Sequence, residues 1–575
     1  MPHSKYIKQA EEAFTRLGFT PREGQIDAVC KIVYNFLDNK IKNQILSAPT
    51  GTGKSLIGAA VSETLSAEVG NVEKSKSSIS LVSTNVLSEQ YSTSFHNLGL
   101  GGKYMMIKGA SNFPCGAMST DEEKQTAEAC AIQTIVHKSE FSDIVNTHCR
   151  KCEYDIMRKR KNSVRHLTTN YAYYFLDRLH SNQPLEDRDL IVWDEAHLVN
   201  DILVDYNTIE FSEKLLKATQ KEYGDLLNLT DFNIISKLNN MVKVCTIKDG
   251  ITENTLEKIL NDLTEIYSYG SEEATTLQHQ AIDSGNNAAY SKFKKIAQKY
   301  GTKIKTIEKF FMFEYPHIID HKHEEGTVAI KPIFAAPFTS ELDCAPHNLY
   351  MSATVSPEYM QTTLGLKPEE TAFIQLAPSF PPKNKEVIFY KPMSLNYTSL
   401  QNKDTIEELK ANVSNIVTAH IESGERGIVL TPSFKLQNEL VKSLEKIKGY
   451  KLFVHKQGEK LEHILKEFKN YNKGSAVLIS PSIYEGIDLS GDLSRFQIMV
   501  KAPFPSLGDK RLKYIMDNYS SIFEILTIQK MVQGCGRSVR SKDDYAVTYI
   551  LDQNAKRLFC GQRNIWKEEF TITSM

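Results

Sequence analysis

Apolar residues along this chain fall into two kinds of run. Short stretches such as 44–48 and 190–193 are mostly apolar, and so are 427–430, 452–454, 477–479, 497–500 and 547–551; 77–83 reads as a further strand. Segments with helical spacing lie between them, among them 55–66 and one running from Val86 towards Phe95. Strands that are apolar on both faces and alternate with helices belong to parallel sheets covered on two sides. The pattern therefore predicts an α/β protein with two such domains.

The distances between the strand ends add detail. Lys54 and Asp194 are 140 residues apart, and His197 and Ser352 are 155 apart. Connections within a compact α/β unit are short, so these spans must contain folded insertions. The first insertion, placed at 108–165, holds four of the nine cysteines, Cys115, Cys130, Cys149 and Cys152. The second, at 205–325, is rich in Lys, Glu, Asn, Leu and Ile with helical periodicity. The first α/β domain is then assigned to 1–107, 166–204 and 326–378, and the second to 379–575. A proline-rich stretch at 378–382 is the only strong linker signal.

Composition narrows the class. The formal charge of −1 gives no overall basic field, so a nucleic-acid groove would have to be built from local lysines and arginines. Neither a signal-peptide core nor a membrane-length apolar run is present, which leads us to expect an intracellular protein, cytoplasmic or nuclear. Clustered cysteines in such a setting read first as a metal site, and the five scattered ones as core residues.

The chemistry sits in one ordered series of motifs. Ala48-Pro49-Thr50-Gly51-Thr52-Gly53-Lys54-Ser55 follows a strand and opens a helix, which is the setting of a phosphate-binding loop. Its glycines let backbone N–H groups approach phosphates at a helix N-terminus; Lys54 would reach the β and γ phosphates and Ser55 would ligate Mg²⁺. Asp194 and Glu195 end a buried strand, Asp194 placed to hold Mg²⁺ through water and Glu195 to take a proton from the attacking water. Gln533, Arg537 and Arg540 fall at i, i+4 and i+7, so a continuous helix would present them on one face, with two guanidiniums for the γ phosphate. Arg22 and Gln25, just ahead of the first strand, are candidates for reading adenine.

The series resembles superfamily 2 helicases. Its details are similar to the XPD/DinG branch: 349–354 (Leu-Tyr-Met-Ser-Ala-Thr), 484–491 (Tyr-Glu-Gly-Ile-Asp-Leu-Ser-Gly), 502–505 (Ala-Pro-Phe-Pro) and 108–115, which leads into Cys115. The resemblance implies two RecA-like motor domains, an iron–sulfur insertion and a helical arch-like insertion. It also implies ATP hydrolysis, with Gly486 and Asp488 beside the nucleotide, and 5′-to-3′ movement on single-stranded DNA into forked duplex. A repair or replication complex is a candidate partner, and a chain carrying both halves of the ATP site can act as a monomer.

The cysteines leave alternatives open. Four thiolates suit a [4Fe–4S] cluster, while Cys149-x-x-Cys152 alone equally suits zinc, with His137 or His148 as substitute ligands. The last two cysteines are closer than in the family pattern, and Glu153 replaces the customary proline. Past them, Arg150, Lys151, Arg158, Lys159, Arg160, Lys161 and Arg165 stand near Tyr154, Tyr171, Tyr173 and Tyr174. Cations that track phosphates and aromatics that stack bases are what a single-strand channel requires. An RNA-directed ATPase, or an ATPase subunit of a larger assembly, remains the rival reading.

Overall fold

The computed structural model describes residues 2–67, 77–83, 103–115, 126–127, 151–180, 184–227, 229–248, 251–342, 345–484, 489, 491–536, 538–539 and 541–574. The helix expected from Val86 lies outside them. Five strands begin the first sheet: β1 (Asn43–Ser47), β2 (Ser78–Val82), β3 (Tyr104–Met106), β4 (His166–Asn170) and β5 (Leu190–Asp194). The chain then departs into a small antiparallel sheet of β6 (Ile209–Ser212), β7 (His317–Lys322) and β8 (Thr327–Pro332). It returns as β9 (His347–Ser352) and β10 (Thr371–Gln375), completing a seven-stranded parallel sheet in the order β10-β1-β9-β5-β2-β4-β3.

A second seven-stranded sheet follows: β11 (Lys385–Met393), β12 (Gly427–Leu430), β13 (Lys451–Val454), β14 (Ala476–Ser480), β15 (Phe496–Met499), β16 (Ala546–Asp552) and β17 (Thr571–Ser574). Its order is β13-β14-β12-β15-β16-β11-β17, again all parallel. The apolar runs thus become central strands; β1, β5, β12 and β14 are buried along their whole length. The expected pair of α/β sheets is present.

Between β6 and β7 the chain forms the helices Glu213–Leu226, Phe232–Thr246, Glu253–Asp283 and Asn287–Phe313. They share one core, in which Tyr223, Leu260, Leu263, Ile266 and Tyr300 are buried. The last two helices run antiparallel, since Ser271 reaches Ala297 and Ala281 packs on Tyr290. The strands at the base of this bundle were not legible in the helical periodicity, and β8 carries the excursion to Pro332.

The base also touches the second sheet's domain. Arg511, on the helix Lys510–Asn518, donates Nε to the Ile333 carbonyl at 2.9 Å and both Nη groups to Asp201 at 3.3 Å. Lys331 pairs with Asp509 at 2.7 Å. Ile515, Ile522, Phe523 and Ile525 join the first domain's core around Tyr359 and Met360. Apolar packing therefore holds the two α/β units together on this side.

Gly270 tests the packing of the bundle. A Cβ built there would lie 2.5 Å from Tyr223 Cζ, whose hydroxyl donates to the Ile266 carbonyl at 2.8 Å. We expect Gly270→Ala to displace that ring and lower stability by about 1–3 kcal/mol, the usual cost of overpacking, measured by chemical denaturation.

Candidate active site

Parallel strands deliver their C-terminal ends to one edge, where ligands of open α/β sheets bind. Here β1, β9 and β5 are neighbours in register: Ser47 aligns with Ser352, and Asp194 with Met351. The segments that follow Ser47, Asp194 and Ser352 therefore meet, although they are far apart in sequence. The Ala48 amide donates to the Ser352 carbonyl at 2.9 Å, which continues the pairing into the loop.

The loop turns at Gly51 (φ 87°) and Gly53 (φ 75°), both in the left-handed region where a Cβ is disfavoured. Thr52 Oγ1 closes the turn on the Pro49 carbonyl at 2.7 Å. The helix Lys54–Ala67 then starts, directing its unpaired N–H groups and positive dipole end at the loop. Arg22 donates Nη1 to the Gly51 carbonyl. The buried Gln25 accepts from the Arg22 amide at 2.7 Å and donates to the Thr52 carbonyl at 2.6 Å. Both residues thus grip the loop itself.

Asp194 and Glu195 face this loop from β5. Ser55 Oγ lies 3.5 Å from Asp194 Oδ2, and Lys54 Nζ lies 3.6 Å from Glu195 Oε1. A hydroxyl and a carboxylate this close form a hard-oxygen pair that suits Mg²⁺, with Ser55 and Asp194 as its holders. Glu195 adopts the left-handed conformation (φ 52°, ψ 48°), which is uncommon and costly without glycine. Its carboxylate lies 3.5 Å from both His197 Nδ1 and Ser352 Oγ. Burial pushes the Glu195 carboxyl up, but Lys54 and His197 outweigh it and hold the group below its ordinary value. Glu195 is thus kept ionised, as a proton acceptor must be.

The second domain enters through the helix Ser520–Cys535. Gln533 Nε2 lies 3.0 Å from His197 Nε2 and 3.0 Å from Thr354 Oγ1, and Gln529 donates to the Thr354 carbonyl at 2.6 Å. His197 Nδ1 in turn meets Ser352 Oγ at 2.7 Å. A chain of polar contacts therefore runs from Glu195 to Gln533. His197, Ser352, Thr354 and Gln529 complete it; the first three lie in motifs already noted, whereas Gln529 had no sequence signal beyond standing one turn before Gln533.

One expectation is corrected. The helix ends at Cys535, so Gln533 does not share a continuous helix face with the arginines that follow. Gly536 is a turn residue, and Ser538 and Val539 are buried and non-helical. Val539 packs against Phe380 and Ala546. Arg537 and Arg540 themselves lie outside the described residues, as do Gly486 and Asp488.

The cysteine region is described in part. Cys130 and Cys149 lie outside the described residues, together with His137 and His148. Cys115 is buried and Cys152 half-buried. Phe113 and Tyr154 bring their segments together, with ring centroids 5.5 Å apart, and Pro114 bridges Thr126. Two thiol-bearing segments thus lie side by side, as a four-cysteine site would need; among the described residues no group of three or more ligand-type side chains is assembled.

Three of the tyrosines expected near a strand channel are core residues. Tyr171, Tyr173 and Tyr174 are buried, and Tyr171 and Tyr174 bond the carbonyls of Asp194 and Leu342. An apolar helix face at the sheet claims their rings first. Lys161 is also buried, paired with Asp177 at 2.5 Å. Of the scattered cysteines, Cys30, Cys245 and Cys535 are buried as expected; Cys560 is exposed, as the last residue of its helix, and Cys344 lies outside the described residues. No described helix is long and apolar enough to cross a membrane.

Two parallel sheets, a phosphate loop on one and a glutamine from the other closing on the same cleft, define a two-domain nucleoside-triphosphatase fold. Comparisons with known proteins show what the chain is similar to. The family described as the type III restriction enzyme res subunit matches residues 18–230, and the helicase C-terminal domain family matches 416–564. The chain is 24% identical to the ATP-dependent DNA helicase CHL1 of Debaryomyces hansenii, over 73% of this chain and 59% of that protein. It is 26% identical to the ATP-dependent DNA helicase DinG of Photobacterium profundum, over 32% of this chain and 28% of that one. It therefore spans less than two thirds of these relatives' length. A solved XPD helicase structure superposes with a TM-score of 0.61 at 15% identity, covering 97% of this chain and all of that one. The chain is thus similar to DNA helicases named CHL1 and DinG, and it shares its fold with XPD.

Removing the Lys54 ammonium should abolish triphosphate hydrolysis without unfolding the protein. Lys54→Ala is expected to lower kcat by at least about 10²-fold while the thermal midpoint stays put, since Lys54 packs no core. Turnover close to the wild type in a phosphate-release assay would remove Lys54 from the site.

Proposed function

We propose that this protein is an ATP-driven motor on single-stranded DNA that unwinds forked duplex, moving 5′ to 3′. The observation that carries the reading is the contact of Gln533 with His197 and Thr354. One polar chain joins the second domain to the carboxylate that would accept the water's proton. Domain closure then completes the site, and loss of the γ phosphate releases it.

In this reading each site residue has one role. Lys54 and the loop amides hold the phosphates, with Arg22 and Gln25 fixing the loop and set beside the adenine side. Ser55 and Asp194 would hold Mg²⁺, which supplies charge neutralisation at the phosphates. Glu195, kept ionised by Lys54 and His197, takes the proton. Arg537 and Arg540 are assigned the cationic stabilisation of the γ phosphate, and Gly486 and Asp488 a role in nucleotide binding.

Cys115, Cys130, Cys149 and Cys152 are assigned to a [4Fe–4S] cluster, which supplies structural cross-linking of the 108–165 insertion. That module, with the helical insertion, would hold the strand and split the fork. The relatives named as DNA helicases favour DNA over RNA as the track. Repair, replication or recombination is the setting such an activity would serve.

Two measurements test this reading. Anaerobically purified protein with ATP should unwind a labelled duplex carrying a 5′ single-stranded tail and fail on one with a 3′ tail. Strict preference for the 3′ tail would reverse the polarity, and hydrolysis stimulated by RNA but not DNA would reassign the track. For the cysteines, we expect about four irons and four sulfides per chain, lost together with unwinding in Cys115→Ser, while ATP binding persists. Zinc at about one per chain would replace the iron–sulfur assignment.

A further inference from the structure

We propose that Phe380, in the linker between the two sheets, is a positioning residue that couples the phosphate loop to the arginine-bearing segment of the second domain. The linker lies at 376–384, outside both family-matched ranges. The proposal rests on the reading of this cleft as an ATPase site.

The linker is tied at both ends. At its start the Leu376 amide donates to the Ser47 carbonyl at 2.9 Å, so it leaves the first sheet alongside β1, at the residue where the phosphate loop begins. At its other end Asn384 Nδ2 donates to the Lys542 carbonyl at 2.7 Å, and Lys385 pairs with Ala546 as β11 joins β16. Pro378, Pro381 and Pro382 stiffen the few residues between, because each fixes its own φ. A short, stiff link anchored to both domains passes motion rather than absorbing it.

Phe380 sits at the centre of this link and is buried. The Cε2–Cζ edge of its ring lies against the loop: a Cβ built on Gly51 would stand 2.6 Å from Phe380 Cζ. The same ring packs on Val539 and Ala546. Val539 stands between Arg537 and Arg540 in sequence. Gly51 is therefore gripped from two sides, its carbonyl by Arg22 and its Cα by Phe380. Thr50 Oγ1 also lies 3.5 Å from the Gly536 carbonyl, a second contact between the same two segments.

The coupling has a simple physical basis. Seating a phosphate requires the Gly51 backbone to keep its place, and the ring leaves no slack on that side. Any shift of the loop is met by the ring, and through Val539 by the segment that carries the arginines. Close-packed contacts transmit such displacements because they have no void to collapse into. Gly51 is thus a glycine for two reasons, its left-handed φ and the aromatic ring edge against it.

The test uses the full chain with Phe380→Ala, Phe380→Leu and Phe380→Tyr. Hydrogen exchange is followed with and without a non-hydrolysable ATP analogue, beside kcat and KM for ATP in the presence of single-stranded DNA. In the wild type the analogue should slow exchange both in the phosphate loop and in 538–546. In Phe380→Ala the slowing should persist at the loop and vanish at 538–546. We expect kcat in that variant to fall about tenfold or more with KM moving less than about threefold, and Phe380→Tyr to restore it to within about twofold. Slowing of 538–546 that survives in Phe380→Ala would overturn the proposal. So would a loss of kcat that Phe380→Tyr fails to restore, or one matched by an equal loss of ATP affinity. If the wild type binds the analogue but lacks DNA-stimulated hydrolysis, the motor reading fails while the exchange comparison still decides the coupling.

Discussion

Everything at the cleft depends on the register of three neighbouring parallel strands. β9 lies between β1 and β5, with Ser352 level with Ser47 and Met351 level with Asp194. A slip of one residue in a parallel strand would turn each side chain to the opposite face. It would also move the loop, the carboxylates and the serine out of reach of one another. The buried side chains around the strands pin the register: Trp193 stacks on Tyr350 at 5.5 Å and donates Nε1 to Asn348 Oδ1 at 3.0 Å, a contact made inside the core. Packing below the site is thus what holds three distant segments within hydrogen-bond range above it.

The second domain depends on the same edge. Gln529 and Gln533 approach Thr354, two residues past the β9 end, and Trp566 reaches the end of β1, where its Nε1 donates to Ser47 Oγ at 2.9 Å. Each of these bonds is buried or half-buried, so parting the domains would expose or orphan polar groups on both sides. The alternative partners must then come from water or from a ligand in the cleft. A junction made of a few polar contacts beside a packed apolar hinge at Phe523 and Met360 can open at one end and remain closed at the other. The proposed nucleotide site lies at the polar end, where a modest interaction energy would bias such an opening.

Much of this was legible in the sequence, for particular reasons. Apolar strand runs identified both sheets because strands covered on two faces leave no polar alternation, and the run at 190–193 ended at the carboxylates as the motif required. The helical spacing of 253–313 likewise survived into two long helices, whereas the strands β6 to β8 at their base did not announce themselves, since β7 and β8 mix charged and apolar residues. Gln533 and the arginines show where periodicity misleads: an i, i+4, i+7 pattern fits a helix, but the helix ends at Cys535, just before Gly536. The tyrosines failed for the opposite reason. An aromatic beside a basic run has the chemistry to stack bases, yet burial against a sheet removes more apolar surface from water, and no local signal distinguishes the two.

Glu195 brings these threads to one residue. A left-handed glutamate at the end of a buried strand costs energy that the rest of the fold must supply. Extended backbone at that point would continue β5 and carry the side chain along the sheet. The turn instead aims the carboxylate back among Lys54, His197 and Ser352, each at 3.5–3.6 Å. None of those contacts is short, so none of them anchors the carboxylate strongly by itself. Three partners at loose distance, one from the phosphate loop, one from its own turn and one from β9, leave the carboxylate ionised and able to take a proton. Because His197 also meets Gln533, the position of this base answers to the second domain as well as the first. A carboxylate gripped tightly by a single lysine would be more stable and less useful, since it would neither yield to a water nor register whether the other domain had arrived.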